Sequence, residues 1–220
     1  MTEMVYLNGD FVPKAEASIP LFDHGFLYGD GVFEGVRVYN GRVFRLDAHL
    51  DRLLFSAHAL GFMTTGLTRD SLREATLETC RRNDHQSGYI RINLSRGTGL
   101  GLDPQHIDPK PRLIIATQQL SLYPKHLYED GLNLVTCSTR SVPADTMDPR
   151  IKCTGKYINN ILAKMEANRA GAGEGIMLNH QGYVSEATGD NVFAIKDGVI
   201  VTPHPSAGCL KGTEGVRSPQ

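Results

Sequence analysis

Three dipeptides of the kind that closes tight β-hairpins constrain the fold more than any other feature of the chain. Asn8-Gly9 lies between VYL and FVP, Asn40-Gly41 between GVRVY and RVFRL, and Asp197-Gly198 between VFAIK and VIVTP. Asn-Gly and Asp-Gly favour two-residue turns because both residues tolerate a positive φ, and the flanking segments are rich in strand-forming residues. The sequence therefore predicts antiparallel strand pairs near both ends of the chain.

Two helices are predicted after the second hairpin. Apolar residues recur with the helical period at Leu46, Leu50, Leu53, Leu54, Ala57 and Leu60, and again at Leu72, Ala75, Leu77 and Cys80. Thr68 is a suitable N-cap for the second helix, which Arg81-Arg82 would end. The segments GYIRINLSRG and PRLIIATQQ then predict two strands, joined by residues 97–111, which are either a functional loop or a plain surface loop.

A change in composition after Gln119 predicts two domains. We expect an N-terminal α/β domain at 1–120, a linker at 121–127 within SLYPKHLYEDG, and a second domain at 128–220 that starts with the strand-like LNLVTCSTRSV. The hydrophobic content of 40% and the charged content of 21% are those of a globular protein and exclude a disordered or fibrous chain.

Charge and cysteine usage exclude several classes of function. A formal net charge of -1 gives no general attraction to nucleic acids or anionic membranes. The four cysteines stand singly, without the CxxC spacing of a zinc site, so we expect neither a metal nor a disulfide framework. No signal peptide or membrane-spanning apolar run is evident, and we expect a soluble, cytoplasmic protein without nucleic-acid or membrane partners.

Residues 152–191 hold a set of side chains suited to an aldehyde cofactor. YINNILAKMEANRA predicts a helix that begins near Tyr157, GIMLN a buried strand, and YVSEATGDNVFAIK a strand that returns Glu186 toward the start of the helix. A lysine amine can form a Schiff base with an aldehyde and then act as a general base, and a carboxylate can keep a pyridine nitrogen protonated. Composition alone leaves Lys152, Lys156 and Lys164 open as the imine-forming residue.

The segment resembles the branched-chain and D-amino-acid aminotransferases, the fold-type IV enzymes that use pyridoxal 5'-phosphate (PLP). The family's lysine stands five residues before a tyrosine at the head of a helix, as Lys152 and Tyr157 do, and its ring-nitrogen glutamate precedes a glycine, an acidic residue and an asparagine, as Glu186 does in SEATGDN. The resemblance implies that Lys152 is catalytic and that Lys152, Tyr157 and Glu186 bind the cofactor.

The resemblance extends over residues 6–212 and implies further site residues. Arg52 in HLDRL matches an arginine that contacts the cofactor phosphate, a task for which a planar multidentate donor is suited. The positions that match residues on the substrate side are Tyr28, Phe33, Gly35, Tyr89 and Arg91. His24 is expected to hold a loop rather than to act in catalysis, and the loop of residues 97–111 is expected to reach across a dimer interface.

The C-terminal sequence departs from the family pattern. Family members continue for about seventy residues more, and the isoleucine-threonine pair that binds the phosphate is out of register in LKGTEGVRSPQ, so Thr213 is not assigned that role. The resemblance thus implies a two-domain α/β (α+β) fold with an incomplete, β-rich C-terminal domain. We expect a truncated chain whose cofactor affinity and activity are impaired.

The activity implied is transfer of the amino group of branched-chain L-amino acids to 2-oxoglutarate through a lysine Schiff base, in branched-chain amino acid biosynthesis and by a homodimer. The Tyr89-x-Arg91 pair favours branched-chain over D-amino acids. Alternatives within the fold are D-amino-acid transamination and aminodeoxychorismate lysis. An inactive remnant that serves as an interaction module is the alternative from another class.

Overall fold

The computed structural model describes residues 2–64, 66–108, 110–119 and 123–213. The chain divides into two compact units: the first comprises 1–121 together with Lys152–Gly155, and the second comprises 122–151 and 156–220. The domain boundaries expected from the sequence remain a prediction, and residues 121 and 122 of the expected linker lie outside the described ranges. So do residues 214–220 of the segment that departs from the family pattern.

The first unit is an antiparallel sheet with two long helices. Its elements are β1 (Met4–Leu7), β2 (Asp10–Pro13), α1 (His24–Tyr28), β3 (Gly31–Tyr39), β4 (Arg42–Val43), α2 (Leu46–Ala59), α3 (Arg69–Arg82), β5 (Gly88–Ser95) and β6 (Arg112–Gln118), with a 3-10 turn at Pro104–His106. The six strands are ordered β2-β1-β6-β5-β3-β4. The hairpins predicted at Asn8-Gly9 and Asn40-Gly41 are confirmed.

One face of this sheet forms the core of the first unit with α2 and α3. Along β5, buried residues alternate with half-buried ones, and Ile90, Ile92 and Leu94 are at most 1% exposed. Leu50 and Leu53 of α2 are fully buried, and α3 begins at the predicted N-cap Thr68, whose side chain accepts from the Ser71 backbone N–H. The alternation leaves the other face of β5 to the polar residues between the isoleucines.

Residues far apart in sequence extend the sheet at the edge of β3 that does not pair with β5. The segment Lys152–Gly155 runs antiparallel to the start of β3, with a bridge between Val32 and Cys153. The Phe33 N–H donates to the Lys152 carbonyl at 3.1 Å, and the Thr154 N–H donates to the Gly31 carbonyl at 2.8 Å. These bonds fix the backbone of Lys152 beside β3.

The second unit combines a small mixed sheet, one long helix and a hairpin. Its elements are α4 (Leu127–Asp130), β7 (Leu134–Thr136), α5 (Tyr157–Arg169), β8 (Glu174–Leu178), β9 (Val184–Ala187), β10 (Ala194–Lys196) and β11 (Val199–Val201), with a 3-10 turn at Pro205–Ala207. β7 is parallel to β8, β8 is antiparallel to β9, and β10 and β11 form the hairpin predicted at Asp197-Gly198. The apolar side chains of Ala163 and Ala167 in α5 pack against Met177 of β8 and form a small core.

Two strands of the second unit are shorter than the sequence predicts. β7 ends at Thr136 because the N–H groups of Ser138 and Thr139 donate to the Glu166 carboxylate of α5 instead of continuing the strand. The strand expected over YVSEATGDNVFAIK is interrupted after Ala187, since the Thr188 N–H and hydroxyl both donate to buried Glu174. At both points side-chain acceptors therefore bind backbone N–H groups where the strand ends, and the Thr188 N–H also donates to the Gly175 carbonyl of β8 at 3.1 Å.

Candidate active site

The face of the first unit's sheet that points away from α2 and α3 carries four of the predicted site residues. Phe33 and Gly35 of β3, and Tyr89 and Arg91 of β5, alternate with the core residues of their strands. Gly35 is the direct partner of Arg91 across the two strands. The antiparallel register therefore gathers the expected substrate residues on one patch of sheet.

Two cationic side chains lie against the ring of Phe33. The Arg91 guanidinium carbon is 3.5 Å from the ring centroid, and the Lys152 Nζ is 4.7 Å from it. Arg91 is further oriented by donating from its Nε to the Asn93 side chain at 2.9 Å. Aromatic faces attract cations, so Phe33, which is only 5% exposed, helps to hold both the lysine amine and the guanidinium against its ring.

Tyr89 occupies space that any side chain at position 35 would need. A Cβ placed on Gly35 would lie 2.3 Å from the Tyr89 hydroxyl oxygen and 2.7 Å from its Cε2. These distances are far below van der Waals contact. Glycine at position 35 therefore allows the Tyr89 ring to lie flat against β3.

Tyr28 belongs to a network around α1. Its hydroxyl accepts from the Gly101 N–H at 3.1 Å, and its ring packs against His24 at a centroid distance of 4.6 Å. His24 lies 2.6 Å from the Asp30 carboxylate and 2.8 Å from the Gly101 carbonyl through its two ring nitrogens. The predicted loop-holding role of His24 is confirmed, and Tyr28 lies where the loop of residues 97–111 is anchored.

Arg52 lies on the helix side of β3 and is bound by a carboxylate that sequence reasoning missed. Its Nε donates to Glu34 Oε1 at 2.6 Å, and its Nη2 donates to Glu34 Oε2 at 2.7 Å. Glu34 is fully buried, and His49 Nδ1 is 2.7 Å from its Oε2. A sequence signal existed, because a glutamate at an inward position of a buried strand requires partners, and His49 and Arg52 are one turn apart on α2.

In the second unit, Glu186 lies near the start of α5, as the sequence predicts. Its Oε2 accepts from the Leu210 N–H at 2.8 Å, and its Oε1 is 3.5 Å from the Lys156 Nζ. Lys156, which directly precedes Tyr157, also donates to the Gly208 carbonyl at 3.4 Å. The Glu186 side chain is thus held at Oε2 by a short hydrogen bond, and its Oε1 lies at a longer distance from Lys156.

Both of the other candidate lysines have carboxylate partners. Lys156 is buried and pairs with Glu186, whereas Lys164 lies 3.2 Å from Glu174 and also donates to the Gly173 carbonyl. Each of these two lysines thus binds a carboxylate of the second unit, and the assignment of the imine to Lys152 stays a prediction that rests on the resemblance.

Cys209 is buried next to Glu186, and it is not a nucleophile. Burial first, and then the nearby charge of Glu186, raises the pKa of the Cys209 thiol to about 11. The thiol therefore stays protonated at neutral pH, and the thiolate that would attack a substrate does not form.

The chain belongs to the class IV amino-transferases. The family model for Amino-transferase class IV matches residues 31–214, which include β3 and the whole segment from Lys152 to Asn191. A putative branched-chain-amino-acid aminotransferase of Methanocaldococcus jannaschii is 44% identical over 209 residues, which cover 94% of this chain and 70% of that relative. The branched-chain-amino-acid aminotransferase of Pseudomonas aeruginosa is 39% identical, over 95% of this chain and 69% of its own length.

Solved structures show the same fold. The crystal structure of the Escherichia coli branched-chain amino acid aminotransferase matches with a TM-score of 0.91 and 32% identity, over 96% of this chain and 71% of that one. The T.th. branched-chain amino acid aminotransferase with pyridoxamine 5'-phosphate matches with a TM-score of 0.88 and 35% identity, over 96% and 70% of the two chains. The predicted α/β architecture of the fold-type IV enzymes is confirmed.

Proposed function

We propose that the protein is a PLP-dependent aminotransferase that moves the amino group of branched-chain L-amino acids to 2-oxoglutarate. The observation that carries the proposal is the Phe33 patch, where the Lys152 amine and the Arg91 guanidinium lie against one ring, 4.7 Å and 3.5 Å from its centroid. A reactive amine and a fixed cation that contact the same apolar ring suit a substrate that carries an α-carboxylate and an aliphatic side chain. The relatives reported above support the same activity.

The residues present fit the cofactor. PLP needs an amine for its aldehyde, a cation for its phosphate and a carboxylate for its ring nitrogen, and the corresponding residues are Lys152, Arg52 and Glu186. Glu186 suits the last of these because the Leu210 N–H fixes its carboxylate at Oε2, while Oε1, 3.5 Å from the Lys156 Nζ, is an acceptor for a protonated ring nitrogen. We assign Tyr157, at the start of α5, to the phenolic oxygen of the ring.

Different side chains of the protein carry out proton transfer and substrate binding. When bound, PLP supplies an electron sink that stabilises negative charge at the substrate's α-carbon. Lys152 moves the α-proton with its amine, since Phe33 and the bond from Phe33 N–H to the Lys152 carbonyl hold it in place. Arg91 binds the substrate carboxylate, and Tyr28, Phe33, Gly35 and Tyr89 line the space for the aliphatic side chain.

The proposal is tested by titrating the protein with PLP, recording absorbance, and then adding L-leucine, D-alanine or aminodeoxychorismate. We expect a saturable new visible band and amino transfer from L-leucine to 2-oxoglutarate. Lys152→Ala should abolish both, whereas Lys14→Ala, which alters an exposed lysine paired with Glu3, should change neither. Transfer from D-alanine without transfer from L-leucine would overturn the substrate assignment. Turnover that survives Lys152→Ala would overturn the catalytic one.

We further propose that the protein acts as a homodimer in the cytoplasm. Large apolar side chains around α1 and in the loop of residues 97–111 are more than half exposed, with Leu21 at 68%, Phe26 at 64% and Leu102 at 78%. Such a patch supports burial against a second copy. All four cysteines are free, which fits a reducing compartment. In the described ranges, no helix has the length and apolar character needed to cross a bilayer.

A further inference from the structure

The guanidinium of Arg52 is held in a fixed orientation by a carboxylate that no water can reach. Glu34 is fully buried between β3 and α2, and its two oxygens accept from Arg52 Nε and Nη2 at 2.6 Å and 2.7 Å. Two parallel N–H···O bonds of this kind fix the plane of a guanidinium as well as its position. Arg52 is therefore much less mobile than an arginine on a helix surface.

His49 braces the same carboxylate from the neighbouring turn of α2. Its Nδ1 lies 2.7 Å from Glu34 Oε2, the oxygen that also accepts from Arg52 Nη2. Burial raises the pKa of Glu34, but the hydrogen bonds from Arg52 and His49 and the charges of Arg52 and Lys152 outweigh it and leave the pKa below its ordinary value. Glu34 is thus ionised throughout the neutral pH range and stays bonded to both partners.

We propose that Glu34 is a positioning residue that acts through Arg52 on the cofactor phosphate, with His49 as its brace. This inference rests on the proposed function, in which Arg52 contacts the phosphate of PLP. The charge of Glu34 by itself opposes the binding of an anion, so any benefit to phosphate binding must come from orientation. A guanidinium that is already ordered loses less conformational entropy when it binds a phosphate oxygen.

Glu34→Asp separates position from charge because it keeps the carboxylate and withdraws it by one methylene. We expect the dissociation constant for PLP to rise about tenfold, which corresponds to about 1.4 kcal/mol. Pyridoxal, which lacks the phosphate, should bind with a change of less than about twofold. Glu78→Asp is the matched control, since Glu78 binds Arg81 and Arg82 on the exposed side of α3, and it should leave both constants unchanged.

The Arg52→Ala variant distinguishes two outcomes, a wrong role for Glu34 and a wrong assignment of Arg52 to the phosphate. If Arg52→Ala leaves the preference for PLP over pyridoxal intact, the assignment of Arg52 to the phosphate is wrong, and the role of Glu34 falls with it. If Arg52→Ala removes that preference and Glu34→Asp preserves it, only the inference about Glu34 is overturned. In the Glu34→Asp/Arg52→Ala double variant we expect no loss beyond that of Arg52→Ala, because Glu34 acts through Arg52.

A second pair of variants serves if Glu34→Asp does not fold, as judged by circular dichroism. His49→Leu removes the brace and leaves the pair of Glu34 and Arg52 intact, so PLP should bind several-fold more weakly while pyridoxal is unaffected. His49→Gln restores an N–H donor and should recover most of the loss. Equal weakening of PLP and pyridoxal in His49→Leu, or no recovery in His49→Gln, would overturn the proposal.

Discussion

At the scale of single residues, the strands β3 and β5 place different chemistry on their two faces. Glu34 points to α2 and is fully buried with Arg52 and His49, whereas Phe33 and Gly35 point to the opposite face, where Tyr89 and Arg91 lie. Neighbouring residues of β3 point to opposite faces of the sheet, so Glu34, which binds Arg52, and Phe33 and Gly35, which are assigned to the substrate, lie on different faces. This explains why residues that are adjacent in FEG serve different parts of the proposed site.

Gly35→Ala tests whether the flat position of Tyr89 matters for the substrate. The new Cβ would meet the Tyr89 hydroxyl oxygen at 2.3 Å, so the phenol must turn away from β3. We expect the KM for L-leucine to rise roughly tenfold, equivalent to about 1.4 kcal/mol. The dissociation constant for PLP should stay the same, because Tyr89 is assigned to the substrate and not to the cofactor.

The double variant Gly35→Ala/Tyr89→Ala provides the comparison for this prediction. Removing the ring removes the clash, so Gly35→Ala should add little to the KM of Tyr89→Ala. An additional tenfold increase in the double variant would show that Gly35 acts on the substrate without Tyr89. Thermal unfolding of all three variants checks that the sheet is intact.

At the scale of elements, the Glu166 carboxylate of α5 binds the segment after β7, and the Asn159 side chain of α5 also donates to the Arg140 carbonyl of that segment. Glu166 accepts from the N–H groups of Ser138 and Thr139, at 2.7 Å and 3.0 Å, and from both of their hydroxyls. These bonds, with that from the Thr139 hydroxyl the strongest, lower the pKa of Glu166 to about 2. The carboxylate is therefore ionised at neutral pH.

Glu166→Gln should make the protein less stable in a way that depends on pH. Because the folded pKa of about 2 is below the ordinary value of 4.5, the stabilisation is complete above pH 4.5 and is lost as the pH falls toward 2. The melting temperatures of wild type and variant should differ at neutral pH and converge in acid. The exposed control Glu16→Gln should show no such convergence. A difference that is constant from pH 7 to pH 3 would contradict the prediction.

At the scale of the whole molecule, local contacts were predictable and distant ones were not. The three hairpins and the N-cap Thr68 follow from dipeptides and periodicity within about fifteen residues, and the structure has them at the expected positions. The pairing of Cys153 with Val32 joins residues more than a hundred positions apart. No local pattern indicates such a contact. The partners of Glu34 lie closer in sequence, 15 and 18 residues away, and the inward position of Glu34 on a buried strand was the signal that could have pointed to them.

The sequence also indicated the candidate site residues better than it indicated the distant contacts that hold them. The resemblance pointed to Lys152 rather than Lys156, and the structure shows that Lys156 is buried with its Nζ 3.5 Å from Glu186, a contact that no local pattern of the sequence indicated. The set expected to bind the cofactor, which also includes Arg52 and Tyr157, stays a prediction. Periodicity could not reveal that Glu186 is oriented by the Leu210 N–H, because that bond joins two residues 24 positions apart, with the β10–β11 hairpin between them.

Thr154 offers a test of how the distant segment sets the position of Lys152. Its hydroxyl donates to the Gly29 carbonyl at 2.6 Å, beside the bond from its N–H to the Gly31 carbonyl. Thr154→Val keeps the shape and removes the hydroxyl, and it should cost about 1 kcal/mol of stability. We expect kcat to fall by roughly tenfold or more, since a small displacement of a catalytic amine costs far more in rate than in stability.

Thr154→Ser distinguishes loss of the hydrogen bond from loss of packing. Serine retains the hydroxyl that bonds to the Gly29 carbonyl, so the variant should keep most of the wild-type kcat, whereas Thr154→Val should not. The KM for L-leucine should change little in either variant, because Thr154 lies outside the residues assigned to the substrate. A Thr154→Val variant with wild-type kcat would show that the backbone bonds between residues 152–155 and β3 alone hold Lys152 in place, and that the hydroxyl contributes nothing to catalysis.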